Sequence, residues 1–396
     1  MTPAARIAAS IEVLDAWLGG VGPDAALRAW GRGHRFAGSG DRAAIRDHVF
    51  DAIRCRRSFA GIGGADTGRG LMIGALRVAG VDPSRVFGAG GHAPPALAAA
   101  EMGPMRQLSP QEALDCPDWL WPMLRADLGP EAEAHLKAAQ SRAPIQLRVN
   151  PLRGDRDGAI AALAKDGIEA QVHAEVTTAL TVTRNARRVT GSAAYQGGLV
   201  DLQDAHSQAV VVDLGDRLPA PARALDYCAG AGGKSLALAA LPHLQSGGVV
   251  AHDVAPERMT DLPSRAARLG AKVALCQPEE LEAAQRFDMV LCDAPCSGSG
   301  TWRRDPMAKW TLSRERLGQL TWIQDEVLDR SATLVSDGGV LVYVTCSVLG
   351  VENEARAEAF LQRTAGWSMV KSQRWPMGDG GDGFFRAIFA RDTESR

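Results

Sequence analysis

The sequence has no run of 18 or more apolar residues, which a membrane-spanning helix would require. Its seven cysteines are an odd number scattered over 396 residues, unlike the disulfide framework of a small secreted protein. The first residues, MTPAARIAASIEVLDAW, include acids and lack the continuous apolar core of a signal peptide. We therefore expect a cytoplasmic protein with free thiols and no membrane segment.

The chain also lacks an excess of positive charge. Its formal net charge is -2, which excludes a protein that binds nucleic acid through net charge alone but leaves a local basic face possible. At this length, with 46% hydrophobic residues, the chain can bury two or three separate cores. We expect a globular protein of several domains.

Residues 1–105 are predicted to form an all-helical domain. Apolar residues recur at helical spacing near the start and are followed by the stop Gly19–Gly20: Ile7, Ile11, Leu14 and Leu18. A second helix is expected to begin at the cap SGD, 39–41, and to run through Ile53. The glycine- and proline-rich stretch 88–103 predicts a linker.

Residues 106–200 are predicted to form a small α+β module. The stretch PIQLRVN, 144–150, alternates apolar and polar residues like a half-buried strand. A helical pattern at 157–168 and a strand pattern at 179–184 follow. This order indicates a compact βαβ-type accessory unit.

Residues 201–396 alternate short apolar runs with helical stretches, which is typical of a doubly wound, mostly parallel, Rossmann-like sheet. Ligands bind such sheets beyond the carboxyl ends of the strands. The residues that stand out in this region all lie at those positions: Cys228, Asp253, Cys296 and Cys346.

The glycine-rich turn CAGAGGKS, 228–235, admits three interpretations. A P-loop would need glycine where Cys228 stands, and the dinucleotide fingerprint would need glycine at Ser235. The turn could instead be purely structural, or it could receive the methionine and ribose of S-adenosylmethionine. Because Asp253 follows about 20 residues later and could accept from ribose hydroxyls, the two features together favour an adenosine-containing cofactor.

The cysteines divide into two kinds. Cys276 and Cys292 lie in apolar runs and are interpreted as buried thiols that act as small hydrophobes. Cys296 and Cys346 follow strand ends among polar neighbours. The spacings lack paired C-x-x-C, and no histidine is near, so we expect no metal site.

A thiol beside a methyl donor suits methylation at carbon 5 of a pyrimidine. A thiolate adding to carbon 6 makes carbon 5 nucleophilic, an acid steadies the ring nitrogens, and a second group assists release. The nucleophile needs an electropositive pocket, for which Lys234 is a candidate, whereas Asp293 would oppose it unless paired. Spacing alone does not assign the two cysteine roles.

With these residues in place, the chain resembles the Sun/Fmu-type, RsmB-like family of S-adenosylmethionine-dependent RNA cytosine-5 methyltransferases. The resemblance covers roughly residues 200–390, with a possible RNA-binding segment, LRVNPLR, just upstream. It is carried by these motifs: QDAHSQ (203–208), DYCAGAGGKS (226–235), HDVAPERM (252–259), DAPCSGSGTWRRDP (293–306), TCSVLGVENE (345–354) and DGFFRA (382–387).

The resemblance implies that Cys346 is the nucleophile, that Cys296 assists product release and that Asp293 hydrogen-bonds the cytosine, with Lys234 as a further catalytic residue. Two positions depart from the family: Ala231 replaces a proline, and Gln277 stands where an aspartate usually faces the adenine. The expected cofactor-binding residues are Cys228, Ala229, Gly230, Gly232, Gly233, Lys234, Asp253, Arg258, Gln277 and Asp293.

RNA is the expected partner. The helical N-terminal region resembles the NusB-like domain of the ribosomal RNA members, which favours ribosomal over transfer RNA, and the target base must be flipped out or single-stranded. Arg148, Arg303 and Arg304 are candidates for holding phosphates. The alternatives are a transfer RNA methyltransferase, a non-catalytic ribosome-assembly protein that binds RNA, and a DNA methyltransferase; we expect a monomer.

Overall fold

A computed structural model describes residues 1–281 and 286–391. The chain forms two compact units: the first contains Met1–Arg142 together with Trp302–Trp310, and the second contains the remaining described residues. The division into three domains at 105 and 200 stays a prediction. Within the described ranges, no helix combines the length and the apolar character needed to cross a bilayer.

The first unit is helical. Helix α1 ends at Leu18 with Gly19 as its C-cap, and α3 covers Ser39–Arg54, which confirms both predicted helices. Ile7, Leu14 and Ile45 are buried between them. The helices of Met1–Arg142 are α1 (Pro3–Leu18), α2 (Pro23–Gly33), α3 (Ser39–Arg54), α4 (Arg56–Gly63), α5 (Gly68–Val78), α6 (Pro110–Ala113), α7 (Trp121–Leu128) and α8 (Ala132–Ala139).

The segment Trp302–Trp310 belongs to this helical unit although it lies some 160 residues further along the chain. The Trp302 side chain is fully buried. Lys309 donates from Nζ to the Arg54 carbonyl at 3.0 Å, and Trp310 donates from Nε1 to the Ile53 carbonyl at 2.6 Å. The segment thereby satisfies carbonyl groups that the C-terminal end of α3 leaves without helical partners.

The second unit begins with a four-stranded antiparallel sheet in the order β2-β3-β1-β4. Its elements are β1 (Gln146–Val149), α9 (Arg156–Lys165), β2 (Glu169–Val172), β3 (Ala179–Arg184), α10 (Ala193–Gln196) and β4 (Val200–Leu202). Because β3 pairs antiparallel with both β1 and β2, β1 and β2 run parallel with β3 between them. This is a split βαβ arrangement.

The prediction that β1 is half-buried is wrong, since all four of its residues are buried. Gln146 accepts from the Ala205 amide through Oε1 at 2.8 Å, and Arg148 donates from Nε to Oε1 of Gln203 at 2.8 Å. These hydrogen bonds offset part of the cost of removing the two polar side chains from water, although Nη2 of Arg148 has no partner among the described residues. The polar face of the strand is therefore covered.

The larger sheet has seven strands in the order β10-β11-β9-β8-β5-β6-β7. All neighbouring pairs from β9 to β7 are parallel, and β11 pairs antiparallel with β9 and β10, so the predicted doubly wound, mostly parallel sheet is confirmed. Its elements are α11 (Ala205–Val212), β5 (Ala224–Asp226), α12 (Gly233–Leu238), β6 (Val249–His252), α13 (Leu262–Leu269), β7 (Val273–Cys276), β8 (Phe287–Asp293), α14 (Pro306–Thr311), α15 (Arg314–Thr333), β9 (Val335–Thr345), α16 (Glu354–Arg363), β10 (Trp367–Trp375) and β11 (Phe384–Arg391).

Apolar side chains cover both faces of this sheet. Successive residues of β8 alternate between two core clusters, with Leu291 in one and Val290 and Cys292 in the other. Such burial on both faces explains the continuous apolar runs of the sequence. The polar residues are left for the strand ends, where β5, β6, β8 and β9 terminate at one edge.

Candidate active site

The sulfur atoms of Cys296 and Cys346 lie 3.4 Å apart. Strands β8 and β9 are parallel neighbours, with Asp293 paired to Val344, so the loops that follow them leave the sheet side by side. The Gly300 amide donates to the Cys346 carbonyl at 2.9 Å and ties the two loops together. Both thiols are partly exposed. The expected convergence of the two cysteines is therefore present.

The environment of Cys296 favours its protonated form. The contact with the Cys346 sulfur, followed by burial and the nearby charge of Glu352, raises the pKa of Cys296 well above its ordinary value. Cys296 therefore keeps its proton at neutral pH, and the assignment of the nucleophilic role to Cys346 stays a prediction.

The thiols interpreted as packing residues are buried. Cys292 is inaccessible and Cys276 nearly so, which confirms that prediction. Burial raises the pKa of Cys292 to about 12, so this thiol is inert at neutral pH.

Buried Lys234 and partly exposed Asp293 form an ion pair beside the cysteines, with Nζ 2.6 Å from Oδ2. Burial alone would lower the pKa of Lys234, but the attraction and hydrogen bond of Asp293 outweigh it and raise that pKa. The sequence left open whether Asp293 would be paired, and here it is. Since the ammonium group is committed to a carboxylate, the turn does not have the free lysine that a P-loop presents to phosphates.

The glycine turn follows β5 and is held by the carboxylate that follows β6. Gly230 and Gly232 adopt left-handed conformations, with φ of 52° and 80°, which glycine accepts at little cost. Asp253 is buried and accepts from the Gly230 amide through Oδ2 at 2.8 Å. Arg258 lies 3.2 Å from the same carboxylate. Four of the predicted cofactor residues thus form one cluster.

Three carboxylates at the ends of adjacent strands suit a cofactor with a sulfonium and an ammonium group. Asp226, Asp293 and Asp253 end or follow β5, β8 and β6. Asp226 is fully buried, and its Oδ1 has no hydrogen-bond partner among the described residues. Burial raises the pKa of Asp226 to about 7, and a cation placed beside it would favour the ionised form.

The remaining predicted cofactor residues lie in or near this edge of the sheet. Cys228 and Ala229 precede the glycines, and the Ala229 amide donates to the His252 carbonyl at 2.9 Å. Gln277 directly follows β7 and is exposed. Its role toward the adenine stays a prediction.

Sequence reasoning missed two buried residues that bind the cysteine loops: Glu352, which follows Cys346, and Gln324 of α15. Gln324 donates from Nε2 to the Pro295 carbonyl at 2.9 Å and to Glu352 Oε1 at 3.0 Å. Glu352 belongs to the motif TCSVLGVENE, so the signal was present. The sequence did not indicate that Glu352 is buried, because a glutamate in a polar segment is most often exposed to solvent.

Two arginines proposed to hold phosphates are buried, and for them that prediction is wrong. Arg148 is 3% and Arg303 is 4% exposed. Burial lowers the pKa of Arg148 to about 10, and its guanidinium bonds Gln203. Arg304 is exposed, and its contact with RNA stays a prediction.

The described ranges contain no group of three or more histidine, cysteine, aspartate or glutamate residues arranged to hold a metal ion. The expectation of a metal-free site remains a prediction.

Comparison with known proteins identifies the family. Residues 219–390 match the model of the 16S rRNA methyltransferase RsmB/F family, and residues 116–189 match the ferredoxin-like domain of RsmF/B-like methyltransferases. Ribosomal RNA small subunit methyltransferase B from Xylella fastidiosa is 38% identical over 294 residues, which are 70% of this chain and 67% of that protein.

Solved structures agree on the fold. A methyltransferase homolog protein from Pyrococcus horikoshii aligns with a TM-score of 0.62 at 24% identity and covers 71% of this chain and 97% of its own. NSun6 from Pyrococcus horikoshii, determined with SFG, aligns with a TM-score of 0.61 at 18% identity and covers 70% of this chain and 99% of its own.

Strands β1, β2 and β3 fall within residues 116–189, and the glycine turn and the paired cysteine loops of the seven-stranded sheet fall within residues 219–390. The cofactor of this methyltransferase is S-adenosylmethionine, and the residues that hold it stay a prediction. The chain belongs to the RsmB/F methyltransferase family, and it is an S-adenosylmethionine-dependent RNA methyltransferase.

Proposed function

We propose that this protein methylates carbon 5 of a cytosine in small-subunit ribosomal RNA through a covalent adduct with Cys346. The observation that carries the proposal is the 3.4 Å separation of the Cys296 and Cys346 sulfurs, beside the ion pair of Lys234 and Asp293. The rRNA substrate is supported by the name of the Xylella fastidiosa relative.

Cys346 adds as a thiolate to carbon 6 and forms a carbon–sulfur bond. The π electrons of the carbon 5–carbon 6 double bond move onto carbon 5, which becomes the nucleophile for the methyl group. Asp293 is partly exposed and accepts a hydrogen bond from the exocyclic amine of the cytosine, which orients the ring for addition. Lys234 lies close enough to Cys346 for their charges to interact, although its ammonium group is already paired with Asp293.

The cofactor, when bound, supplies an electrophilic methyl group. The turn residues Gly230 and Gly232, with Asp253 and Arg258, would hold it. These residues bind and orient the cofactor and remove it from bulk water, so that the reacting groups are brought together in a fixed geometry.

Product release requires loss of the carbon 5 proton and departure of Cys346. The electrons of the carbon 5–hydrogen bond re-form the double bond, the sulfur leaves as a thiolate, and one proton is released overall. Cys296 contacts the departing sulfur at 3.4 Å and assists this step. A base stacked in a helix cannot reach the thiols, so the cytosine must be unstacked first.

The test compares Cys346→Ala with Cys296→Ala on ribosomal RNA from a strain that lacks the gene. Cys346→Ala should give no 5-methylcytosine. Cys296→Ala should accumulate a covalent protein–RNA adduct, visible as a shifted band on a denaturing gel. Bisulfite sequencing of ribosomal and transfer RNA identifies the target, and normal turnover by both variants would exclude the thiol mechanism.

A further inference from the structure

Glu352 is a buried carboxylate that the chemistry proposed above does not use. It lies six residues after Cys346, and its side chain is inaccessible to solvent. Burying a carboxylate is costly unless hydrogen bonds compensate. The groups that bind it therefore indicate why it is retained there.

Two of those groups belong to Ser297, the residue that follows Cys296. The Ser297 amide donates to Oε1 of Glu352 at 2.8 Å, and the Ser297 hydroxyl donates to Oε2 at 2.5 Å. Hydrogen bonds to a charged acceptor are stronger than neutral ones. The backbone next to the Cys296 sulfur is thus held at two points.

A third group belongs to Ser347, the residue that follows Cys346. Its hydroxyl donates to the same Oε2 at 2.5 Å and lies 3.3 Å from the Ser297 hydroxyl. One carboxylate therefore binds the residue after each cysteine, although the two serines lie 50 residues apart in the chain.

The neighbouring contacts hold the other side of each cysteine. Gln324 bonds both Glu352 and the Pro295 carbonyl, so the residues on either side of Cys296 are fixed. Thr345, which precedes Cys346, donates from Oγ1 to Asn353 at 2.6 Å. Glu352 joins these two sets of contacts, in addition to the Gly300–Cys346 hydrogen bond and the 2.9 Å contact between the Ser299 and Ser347 hydroxyls.

We propose that Glu352 is a positioning residue, which fixes the separation of the two sulfur atoms by binding the residue that follows each cysteine. This inference rests on the proposed function, because the separation matters only if both sulfurs act on one base. An apolar side chain could fill the same space without the desolvation cost of a buried carboxylate, but it could not accept hydrogen bonds from both loops.

The test uses Glu352→Ala and Glu352→Gln, with Glu358→Gln as the matched control on the exposed side of α16. The glutamine can still accept from the Ser297 amide and Gln324, and its own amide can donate to the two serine hydroxyls, which rotate to accept. The link that Glu352 makes between the loops is therefore kept in Glu352→Gln and lost in Glu352→Ala, while the Gly300–Cys346 hydrogen bond remains available in both.

We expect Glu352→Ala to lower kcat by roughly 100-fold, the effect of a small misplacement of reacting groups, while the Kd for S-adenosylmethionine measured by calorimetry stays unchanged. Glu352→Gln and the control should remain close to the wild type.

A second readout does not depend on RNA. Phenylarsine oxide bridges two close thiols by forming two arsenic–sulfur bonds and releasing water. Mass spectrometry should detect this bridge between Cys296 and Cys346 in the wild type and Glu352→Gln, far less of it in Glu352→Ala, and none in Cys346→Ala.

Wild-type kcat and wild-type bridging in Glu352→Ala would overturn the inference. It would also be overturned if Glu352→Ala lost cofactor binding in proportion to kcat, since the residue would then support the fold in general. A wild-type enzyme that methylates no cytosine would defeat the proposed function instead, and the bridging comparison would still decide the role of Glu352.

Discussion

At the scale of single residues, the carboxyl edge of the seven-stranded sheet holds one titratable side chain in its neutral form and another in its charged form. Cys296 keeps its proton because a second sulfur lies beside it, whereas Lys234 keeps its charge because Asp293 lies 2.6 Å away. Asp226 accepts from the Ser235 hydroxyl at 2.6 Å, but its Oδ1 has no hydrogen-bond partner in the part of the chain that the structure describes. Its ionised form is therefore stabilised poorly in the folded protein.

Asp226 makes the stability of the protein depend on pH. Burial raises its pKa from 3.8 to about 7, so between these values the folded protein holds a proton that the unfolded chain has lost. The stability contribution of this group therefore decreases as the pH rises through that window, by up to about 1.4 kcal/mol per pH unit.

Asp226→Asn removes this titration. We expect the free energy of unfolding of the variant to rise relative to the wild type as the pH increases from 5 to 8, as measured by urea denaturation of the cofactor-free protein. Curves that stay parallel across this range would show that Asp226 is ionised throughout.

The sequence predicted the positions of the reactive residues better than their surroundings. Cys296, Cys346 and Asp253 could be placed because each follows a short apolar run, and parallel strands end at one edge. Arg148 could not be judged correctly, because alternation indicates which residues share a face but not whether another element covers that face. Glu352 was missed for the same reason.

At the scale of elements, Trp302–Trp310 is the segment whose placement the sequence did not indicate. It lies between two stretches of the second unit, yet Trp302 and Lys309 are buried in the helical unit. Lys309 bonds a carbonyl at the end of α3, and burial lowers its pKa. The segment packs in the helical unit through contacts with residues that are distant in the sequence. Local sequence patterns do not predict such contacts.

Trp302→Ala should destabilise the helical unit by about 3–5 kcal/mol, the usual cost of truncating a fully buried tryptophan. The matched control is Trp322→Ala, because Trp322 is 62% exposed and its loss should change stability little. Denaturant unfolding followed by circular dichroism measures both. Equal effects of the two substitutions would contradict the burial of Trp302.

At the scale of the whole molecule, the second unit cannot be separated by a single cut. A fragment that begins at Ala143 retains Trp302–Trp310 but lacks the helices against which Trp302 and Trp310 pack. We expect this fragment to bind a hydrophobic dye and to aggregate, because it exposes a large apolar patch.

Replacing Trp302, Met307 and Trp310 with serine in the same fragment should reduce dye binding and aggregation, as measured by fluorescence and light scattering. The three side chains contribute to or pack with the core of the helical unit. A soluble, dye-free fragment without these substitutions would contradict the prediction.

The placement of Trp302–Trp310 also affects synthesis of the chain. The first 142 residues leave the ribosome about 160 residues before the segment that completes their core. At about 5–20 residues per second, that interval lasts roughly 10 to 30 s. During it the helices of the first unit lack the buried side chain of Trp302, so we expect them to be less stable at this stage of translation than in the complete chain.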